Sequence, residues 1–332
     1  MPQVTIVQVI YNSKPFIQPV FGAIFNQTFK DFNVVAVISG NDDGGKELLK
    51  EKFPAVEIID PGYNIGFAAG HNLVFEKYGN KDGTITDFFQ LVNPDLILEP
   101  TYIENILKVF DDPKVGAATG KLLRYDFVNN RKTRIIDSTG VDISKSGRAR
   151  DRGQHEIDGG QYDRLTSVDA VSGAGAMYRR TALTATRLTH IHTRLYECEY
   201  YDEDFHSYWE DVDLSWRLAN AGWKNIFAPS AIGYHGRVAG SSVNGYADIV
   251  GFIKHHRQLI ARVRQLNYKN HIFMYIKNSR WFYPQFFVRE FFMLIYILLF
   301  EIGTLKILSE MLRLLPEMFR KRRLIKKSIT PV

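Results

Sequence analysis

Short runs of β-branched and apolar residues alternate with helix-like stretches over the first 120 residues, and this alternation restricts the possible folds. Apolar strands separated by helices are typical of a mostly parallel sheet that helices cover on both faces. We therefore predict an α/β fold. The predicted strands are VTIVQVI from Val4, NVVAVIS from Asn33, VEIID from Val56, DFFQLVN from Asp87 and VGAATG from Val115, and the predicted helices lie near residues 16–28, 43–53, 66–79 and 100–111.

The rest of the chain changes character twice. Residues 121–168 are polar, rich in Arg, Asp and Gly, and lack periodicity, which predicts a surface excursion or hairpin. A strand from Ala170, a helix over Glu210–Ala221, the strand KNIFA and a long helix from near Gly245 follow. We predict a sheet domain over residues 1–250 and a helical extension over residues 251–332.

The net charge of +6 is unevenly distributed. Residues 249–332 carry 16 lysines and arginines against four glutamates, a balance of +12, so residues 1–248 carry −6. A basic end on an acidic body predicts contact with an anionic surface. Nucleic-acid binders instead place a basic face on the folded body, so we expect no nucleic-acid partner.

The basic tail predicts association with a membrane surface. Its longest uncharged run, Phe291 to Phe300, has ten residues, half of the roughly twenty that a spanning helix needs. Apolar residues at helical spacing and a basic end predict an amphipathic helix in the interface; a helix packed on the domain is the alternative. The apolar residues are Leu305, Leu308, Met311, Leu312 and Leu315, and the basic ones are Arg320, Lys321, Arg322, Arg323, Lys326 and Lys327.

The single cysteine and the N-terminus bear on the compartment. Cys198 has no second cysteine with which to form an intrachain disulfide, as expected of a reducing compartment. The N-terminal run lacks the charged and apolar segments of a secretory leader. We therefore predict a cytoplasmic protein, held peripherally at the inner face of the cytoplasmic membrane.

Polar residues that directly follow a strand are the first candidates for chemistry, because ligands bind at the carboxyl ends of parallel strands. Asn93-Pro94-Asp95 follows such a strand. A carboxylate there can bind a hard divalent cation that neutralises a diphosphate. The same three residue types also form ordinary turns.

An acidic helix start is the second candidate. Glu210, Asp211 and Asp213 lie in the first turn of a predicted helix, where the helix dipole favours negative charge. A carboxylate there, beside Trp209, can act as a general base towards a hydroxyl, or the group is only an acidic cap. Asp213 and Arg217 are spaced for an ion pair, which we expect on the surface.

Two further segments can contact phosphate or metal. In YHGR, His235 is either a metal ligand or a structural histidine, and Arg237 can clamp a phosphate. NIGFAAGHN, from Asn64, is a Gly-rich turn into a helix whose backbone N–H groups can receive phosphate. Its glycine spacing matches neither a P-loop nor a dinucleotide fingerprint.

In their order along the chain, these motifs resemble the family 2 glycosyltransferases of the GT-A fold. The resemblance covers roughly residues 3–240 and is closest to the rhamnosyltransferase-like branch that builds bacterial cell-surface polysaccharide. The segments that carry it are Tyr11-Asn12, NIGFAAGHN, NPD, SGAGAMYRR, YWEDVDLSWRL and YHGR.

The resemblance implies a role for each matching residue. Asp95 and His235 would bind Mg²⁺ or Mn²⁺, Asp211 would be the general base, and Glu210, with Trp209 beside it, would contact the acceptor. The residues expected near the nucleotide or donor sugar are Tyr11, Asn12, Asn64, Gly66, Phe67, Asn93, Ser172, Gly173, Ala174 and Arg237.

Two positions depart from the family pattern. Asn93 stands where the metal motif usually begins with Asp, so one carboxylate remains to hold the cation. The Asp that usually reads a pyrimidine base is replaced by Ile38 or Ser39, and Asp42 is the candidate to take its place.

The reaction implied is an inverting transfer of a sugar from a nucleotide diphosphate donor. The resemblance favours L-rhamnose from dTDP-rhamnose, with UDP-sugars second, and a polyprenyl-linked sugar or growing cell-surface glycan as acceptor. A nucleotidyltransferase would open with a Gly-rich loop, and VIYNSKPF contains no glycine. A catalytically inactive, membrane-attached scaffold is the remaining alternative, and it predicts no turnover with any donor.

Overall fold

The computed structural model describes residues 2–40, 43–80, 85–189, 198–237, 256 and 258–328. The strands are β1 (Val4–Ile10), β2 (Phe32–Ile38), β3 (Glu57–Ile59), β4 (Phe88–Leu91), β5 (Leu96–Leu98), β6 (Val115–Asp126), β7 (Arg131–Ser138), β8 (Val141–Ile143), β9 (Ala149–Asp151), β10 (Thr166–Ser167), β11 (Ala176–Arg179), β12 (Leu188–Thr189), β13 (Cys198–Glu199) and β14 (Lys224–His235). The α-helices are α1 (Lys14–Phe25), α2 (Gly45–Lys52), α3 (Gly66–Asn80), α4 (Tyr102–Leu107), α5 (Arg180–Thr186), α6 (Glu210–Asn220), α7 (Ala261–Asn278), α8 (Pro284–Phe300) and α9 (Leu308–Ser328), and 3₁₀ turns lie at Lys108–Asp111, Glu203–Phe205 and Ile302–Ile307.

A ten-stranded sheet forms the centre of the molecule, in the order β10-β14-β6-β11-β4-β1-β2-β3, with β5 paired to β14 and β7 to β6. Strands β1, β2, β3, β4, β6 and β14 point one way, and the other four point the opposite way. The sheet is therefore mostly parallel, as the alternating pattern predicts.

Helices cover both faces of this sheet. The apolar side chains of β1 alternate between the two faces and pack on helices at each. Val4 and Ile6 pack with α1, α2 and α4 in one core, and Val7 and Val9 pack with α3, α5 and α6 in the other. All seven residues of β1 are buried, which explains why the strand reads as a continuous apolar run. The α/β prediction is thus confirmed.

The polar segment 121–168 is more ordered and more buried than its composition predicts. β6 continues to Asp126, β7 returns beside it, and β8 and β9 form a second hairpin. Asp137 and Ser138 are fully buried. The expectation of a surface hairpin is right for the β6–β7 connection and wrong for Asp137, whose surroundings compensate its charge.

The C-terminal helices pack on the sheet domain. Phe273 and Met274 of α7 and Met318 of α9 share a core with Phe205 and Val212. No single described helix has the length and apolarity to cross a bilayer; α8 and the segment Ile302–Lys327, bent by 117°, pass that test only as a pair. The predicted boundary at residue 250 and the helix start near Gly245 lie outside the described residues.

Candidate active site

The carboxyl ends of β1, β2 and β4 meet at one edge of the sheet, where most of the candidate residues lie. Ser39 N donates to Ile10 O at 2.8 Å, and Val92 N donates to Val7 O at 3.0 Å. Three neighbouring parallel strands therefore deliver their following loops to the same place, as expected for a ligand site in an open α/β sheet.

Asp95 and His235 meet because β5 and β14 pair antiparallel. His235 lies opposite Leu96, and Gly236 N donates to Asp95 O at 2.9 Å. This register brings Asp95 Oδ1 to 3.1 Å from His235 Nε2. Asn93 Nδ2 lies 3.4 Å from the same ring nitrogen. The structure thus brings together the three residues expected at the metal and phosphate end.

Asp137 fixes the other side of the His235 ring. Its Oδ2 lies 2.8 Å from His235 Nδ1, and its Oδ1 lies 2.8 Å from Arg124 Nε. Burial alone would raise the pKa of Asp137, but Arg237 and His235 hold it well below its usual value. Burial would lower the pKa of His235, but Asp95 and Asp137 raise it to about 9.

The Asp95–His235 pair fits a divalent cation chemically. Carboxylate oxygen and imidazole nitrogen both ligate such metals, and a carboxylate on the far ring nitrogen is the usual support for a ligating histidine. Asp95 Oδ1 and His235 Nε2 lie 3.1 Å apart, close enough for both to hold one cation. Within the described ranges, no group of three or more His, Cys, Asp or Glu side chains could hold a metal. Further ligands would have to come from the substrate or water.

Asp211 lies at the start of α6 and is held by the loop before β11. Its Oδ2 accepts from Gly173 N at 2.7 Å, and its Oδ1 accepts from Val212 N at 2.8 Å. A Cβ at position 173 would lie 3.0 Å from Asp211, so only glycine fits comfortably. Burial raises the pKa of Asp211 despite these hydrogen bonds, which makes the carboxylate a better proton acceptor.

Glu210 and Trp209, the expected acceptor residues, lie beside Asp211. Glu210 is buried, and its pKa is raised well above the usual value by burial and by the Asp211 charge. Trp209 Nε1 donates to Asn267 Oδ1 at 3.0 Å. His206, Tyr208 and Trp209 all have positive φ, and such strain recurs at functional sites.

A continuous series of contacts joins Asp211, the candidate base, to the candidate metal ligands. Gly173, which binds Asp211, is followed by Ala174, whose carbonyl accepts from Asn93 N at 2.8 Å. Asn93 in turn contacts His235 and, through its carbonyl, Gln8 Nε2 at 3.2 Å. Ser172 is buried at the start of this loop. The candidate base and the candidate metal ligands thus belong to one cluster.

The Gly-rich turn and the end of β1 form a neighbouring group. Gly66 N donates to Asn64 Oδ1 at 2.9 Å and to Ser39 Oγ at 3.2 Å. Tyr11 is 55% exposed, and its ring lies 2.9 Å from where a Cβ on Gly40 would be. Gly66 has φ +83°, and a Cβ there would lie 2.4 Å from His206 Nδ1.

The remaining nucleotide and donor candidates are Asn12, Phe67 and Asp42. Asn12 follows Tyr11 with a positive φ of 48°. Phe67 packs on His71, with ring centroids 4.1 Å apart, so it also supports the core. Asp42, the candidate for reading the base, lies outside the described residues.

Two arginines differ from expectation, Arg237 in its partners and Arg217 in its location. Arg237 NH2 lies 2.6 Å from Asp151 Oδ2, and its NH1 lies 3.3 Å from Asp137. The guanidinium predicted to clamp a phosphate is therefore engaged by two carboxylates. Asp213 and Arg217 do pair, at 3.2 Å, but both are buried; the predicted surface pair is wrong in its location.

Sequence reasoning missed the residues that position the site. Asp137 and Asp151 lie in the segment interpreted as a surface excursion. Asn270, on α7, donates to the carbonyls of Phe205, Ser207 and Tyr208 at 2.9–3.0 Å and so holds the loop before α6. An acid between apolar residues in IIDSTGV was the only available signal for Asp137.

Two solved structures share this architecture. The mannosyltransferase PcManGT from Pyrobaculum calidifontis, in complex with GDP-Man and Mn²⁺, aligns over 98% of this chain and 86% of its own, with a TM-score of 0.53 and 16% identity. GalNAc-T7 with UDP, GalNAc and Mn²⁺ aligns over 83% of this chain but only 48% of its own, with a TM-score of 0.57 and 12% identity. These likenesses confirm the predicted GT-A fold.

Sequence comparison adds the family. N-acetylglucosaminyl-diphospho-decaprenol L-rhamnosyltransferase from Mycobacterium tuberculosis is 23% identical over 250 residues, which cover 68% of this chain and 73% of the relative. An uncharacterized glycosyltransferase from Haemophilus influenzae is 24% identical over 140 residues, 41% of each chain. The family model described as Glycosyltransferase like family 2 matches residues 2–283. Since this match includes every candidate residue from Tyr11 to Arg237, the chain belongs to glycosyltransferase family 2 and is a glycosyltransferase.

Proposed function

We propose that this glycosyltransferase inverts the anomeric configuration and transfers L-rhamnose from dTDP-rhamnose to a lipid-linked or growing cell-surface glycan. The arrangement of Asp211 carries the proposal. This carboxylate is fixed by two backbone N–H groups, and it belongs to the same contact series as Asn93, Asp95 and His235. A proton acceptor and a diphosphate site are the two parts that a single displacement requires.

In the proposed reaction, Asp211 accepts the proton of an acceptor hydroxyl. That oxygen forms a bond to the anomeric carbon as the bond from this carbon to the diphosphate oxygen breaks, and the diphosphate leaves with the electron pair. Attack from the face opposite the leaving group inverts the configuration. Glu210 and Trp209 border Asp211 and would orient the acceptor.

Asp95 and His235 would hold Mg²⁺ or Mn²⁺, which neutralises charge on a leaving diphosphate when it is bound. The two metal-containing structures of the same fold support a divalent cation. Asn93, Ser172, Gly173 and Ala174 would border the donor. Tyr11, Asn12, Asn64, Gly66, Phe67 and, beyond the described residues, Asp42 would contact nucleotide or sugar.

The mycobacterial relative supports a lipid-linked acceptor, because its name specifies a decaprenyl-diphosphate-linked one. An acceptor of this kind is anchored in a bilayer, so the enzyme would work peripherally at the inner face of the cytoplasmic membrane. Exposed Arg313, Arg323, Lys326 and Lys327 on α9 would face its anionic surface.

Calorimetric titration with dTDP, UDP and GDP, each with Mn²⁺ and with EDTA, tests the donor class. We expect metal-dependent binding of dTDP. Metal-dependent binding of UDP alone would replace rhamnose by a UDP-sugar. Folded protein that binds no nucleotide and turns over no donor would favour an inactive, membrane-attached scaffold.

A further inference from the structure

Helix α8 presents a wide apolar surface to solvent. Every exposed side chain from Phe287 to Leu299 is apolar, and at 100° per residue these positions cover an arc of roughly 160°. We call this surface the α8 patch. Its members, each 38–69% exposed, are Phe287, Val288, Phe291, Phe292, Leu294, Ile295, Leu298 and Leu299, and Ile302 extends it.

The inner face of α8 carries the polar groups instead. Arg289 NH1 lies 3.0 Å from His271 Nδ1, and Glu290 Oε1 lies 3.3 Å from the same atom. Phe286 is buried and stacks on Tyr275, with ring centroids 3.9 Å apart. A helix that faces water does the reverse and turns its charges outward. The α8 patch is therefore built for an apolar environment.

The segments that flank α8 in the chain carry exposed basic and aromatic residues. Arg280 is exposed, with its guanidinium 6.0 Å from the ring of Trp281, which is 63% exposed. Lys306 and Arg313 are exposed beyond the C-terminal end of α8, and no acidic residue between positions 280 and 327 is exposed. Tryptophan and basic side chains together are typical of the headgroup layer of a membrane.

The inner face of helix α8 lies close to the acceptor end of the site. The Trp209 ring packs edge-to-face on His271 at 5.1 Å, and His271 contacts Glu290 and Phe286 of α8. One histidine thus separates the expected acceptor residue from the inner face of the apolar helix.

We propose that the α8 patch inserts into the interfacial layer of an anionic phospholipid bilayer and so places the acceptor side of the site at the membrane. The second part rests on the proposed function; the insertion does not. At 17 residues, α8 is about 25 Å long and lies along the surface, since its inner face stays on the protein. In a symmetric dimer through this patch, the exposed cations that flank α8 would repel those of the second copy, which opposes such pairing.

Vesicle sedimentation of the full chain tests the insertion. The patch variant is Phe291→Glu with Leu298→Glu. The control is Ile157→Glu with Leu165→Glu. It adds the same charge at two side chains of the sheet domain that are 69% and 61% exposed. With vesicles of phosphatidylcholine and phosphatidylglycerol, we expect at least tenfold weaker partition of the patch variant and unchanged partition of the control.

Wild-type partition by the patch variant would overturn the proposal, as would a loss of dimer in light scattering without an effect on vesicles. Thermal unfolding and Mn²⁺-dependent nucleotide binding verify that both variants are folded. Quenching of Trp281 by brominated lipid, compared with Trp281→Phe, tests the insertion in otherwise unaltered protein. An unquenched Trp281 would also contradict it.

Activity separates the two parts of the proposal. We expect the patch variant to lose at least tenfold in kcat/KM for a lipid-linked acceptor in vesicles and to keep kcat/KM for a water-soluble, short-chain analogue. Equal losses with both acceptors would refute delivery from the membrane. If the protein binds vesicles through the α8 patch but turns over no donor, the insertion of the patch is supported and the proposed function is refuted.

Discussion

His235 is constrained more tightly than any single motif predicts. Asp95 contacts one nitrogen of its ring and Asp137 the other, so the imidazole cannot rotate without breaking two polar contacts. Its orientation is set by the packing of β6, β7 and β14 before any ligand arrives. Such fixed groups stabilise developing charge without reorganisation during the reaction.

Asp211→Asn should remove the proton acceptor and preserve the shape of the side chain. We expect kcat to fall by about 10²–10⁴, the usual contribution of general base catalysis, with metal-dependent nucleotide affinity within twofold of wild type. Steady-state kinetics and calorimetry measure the two effects. Asp111→Asn, at an exposed carboxylate, serves as the control, and wild-type kcat in Asp211→Asn would exclude Asp211 as the base.

The pH dependence of stability should reveal the His235 cluster. The pKa of His235 is raised from 6.5 to about 9, so protonation stabilises the fold fully below pH 6.5 and this contribution is lost as the pH rises through 9. The contribution is about 3 kcal/mol at most. In EDTA, the melting temperature of wild type should therefore fall as the pH rises over this range. The melting temperature of His235→Gln should not show this fall. If the melting temperatures of wild type and His235→Gln change in parallel with pH, protonation of His235 does not stabilise the fold.

At the scale of single residues, the sequence predicts those site residues whose position depends only on their own segment of the chain. Asp95 follows a strand, and Asp211 lies in the first turn of a helix; both positions can be read from the sequence pattern. Asp137 supports His235 across 98 positions of sequence, and its own segment has no apolar periodicity. Only the pairing of β6 with β7 and β14 brings it into contact.

At the scale of elements, α6 depends on helices that follow it by dozens of residues. Lys277 of α7 contacts both Asp202 and Asp213, and Lys321 of α9 contacts Glu199, Asp202 and Asp204. These contacts fix the loop that leads into α6. The C-terminal helices are therefore structural parts of the catalytic domain in addition to any membrane role.

Lys321→Met should destabilise the fold, because it leaves buried Glu199 without its lysine partner and leaves buried Asp202 with Lys277 alone. Losing one partner of a buried ion pair costs about 3–5 kcal/mol. Chemical denaturation measures the loss, and Arg323→Met, at an exposed basic residue two positions along α9, should change stability by less than about 0.5 kcal/mol. Equal stabilities of the two variants would show that Lys321 is dispensable.

The helices themselves are predictable, but their burial is not. The predicted helix over Glu210–Ala221 matches α6, which ends at Asn220. The Arg and Lys residues at the end of α9 are predicted from sequence to be the basic end of an amphipathic helix at a membrane surface, yet Lys321 and Arg322 are buried. Deleting residues 305–332 would therefore remove core contacts together with the basic charge, and it cannot serve as a test of membrane binding alone.

At the scale of the whole molecule, the charge asymmetry of the sequence becomes an asymmetry of surface. The acidic residues are concentrated in the sheet domain, and the exposed cations of α9 lie on the same chain segment as the apolar α8 patch. This segment therefore offers two contributions to membrane binding, apolar burial and charge attraction.

Replacing Arg313, Arg323, Lys326 and Lys327 by Gln should remove most of the preference for anionic over zwitterionic vesicles. Each cation contributes about 1 kcal/mol near anionic lipid, and partition into zwitterionic vesicles should be unchanged. The matched control replaces exposed Lys50, Lys52, Lys108 and Arg131 by Gln and should keep the preference. A fourfold α9 variant that still prefers anionic vesicles would exclude these residues from lipid contact.

The dependence of Asp202 and Asp213 on Lys277 and Lys321 has a consequence for biogenesis. A nascent chain that has released all its sheet strands still carries these acids without their lysine partners, because α7 and α9 follow β14 in the chain. The domain can be completed only after Lys321 has been synthesised. Prematurely terminated products should therefore be recognised as unfolded by cellular proteases and should not persist as partly active transferases.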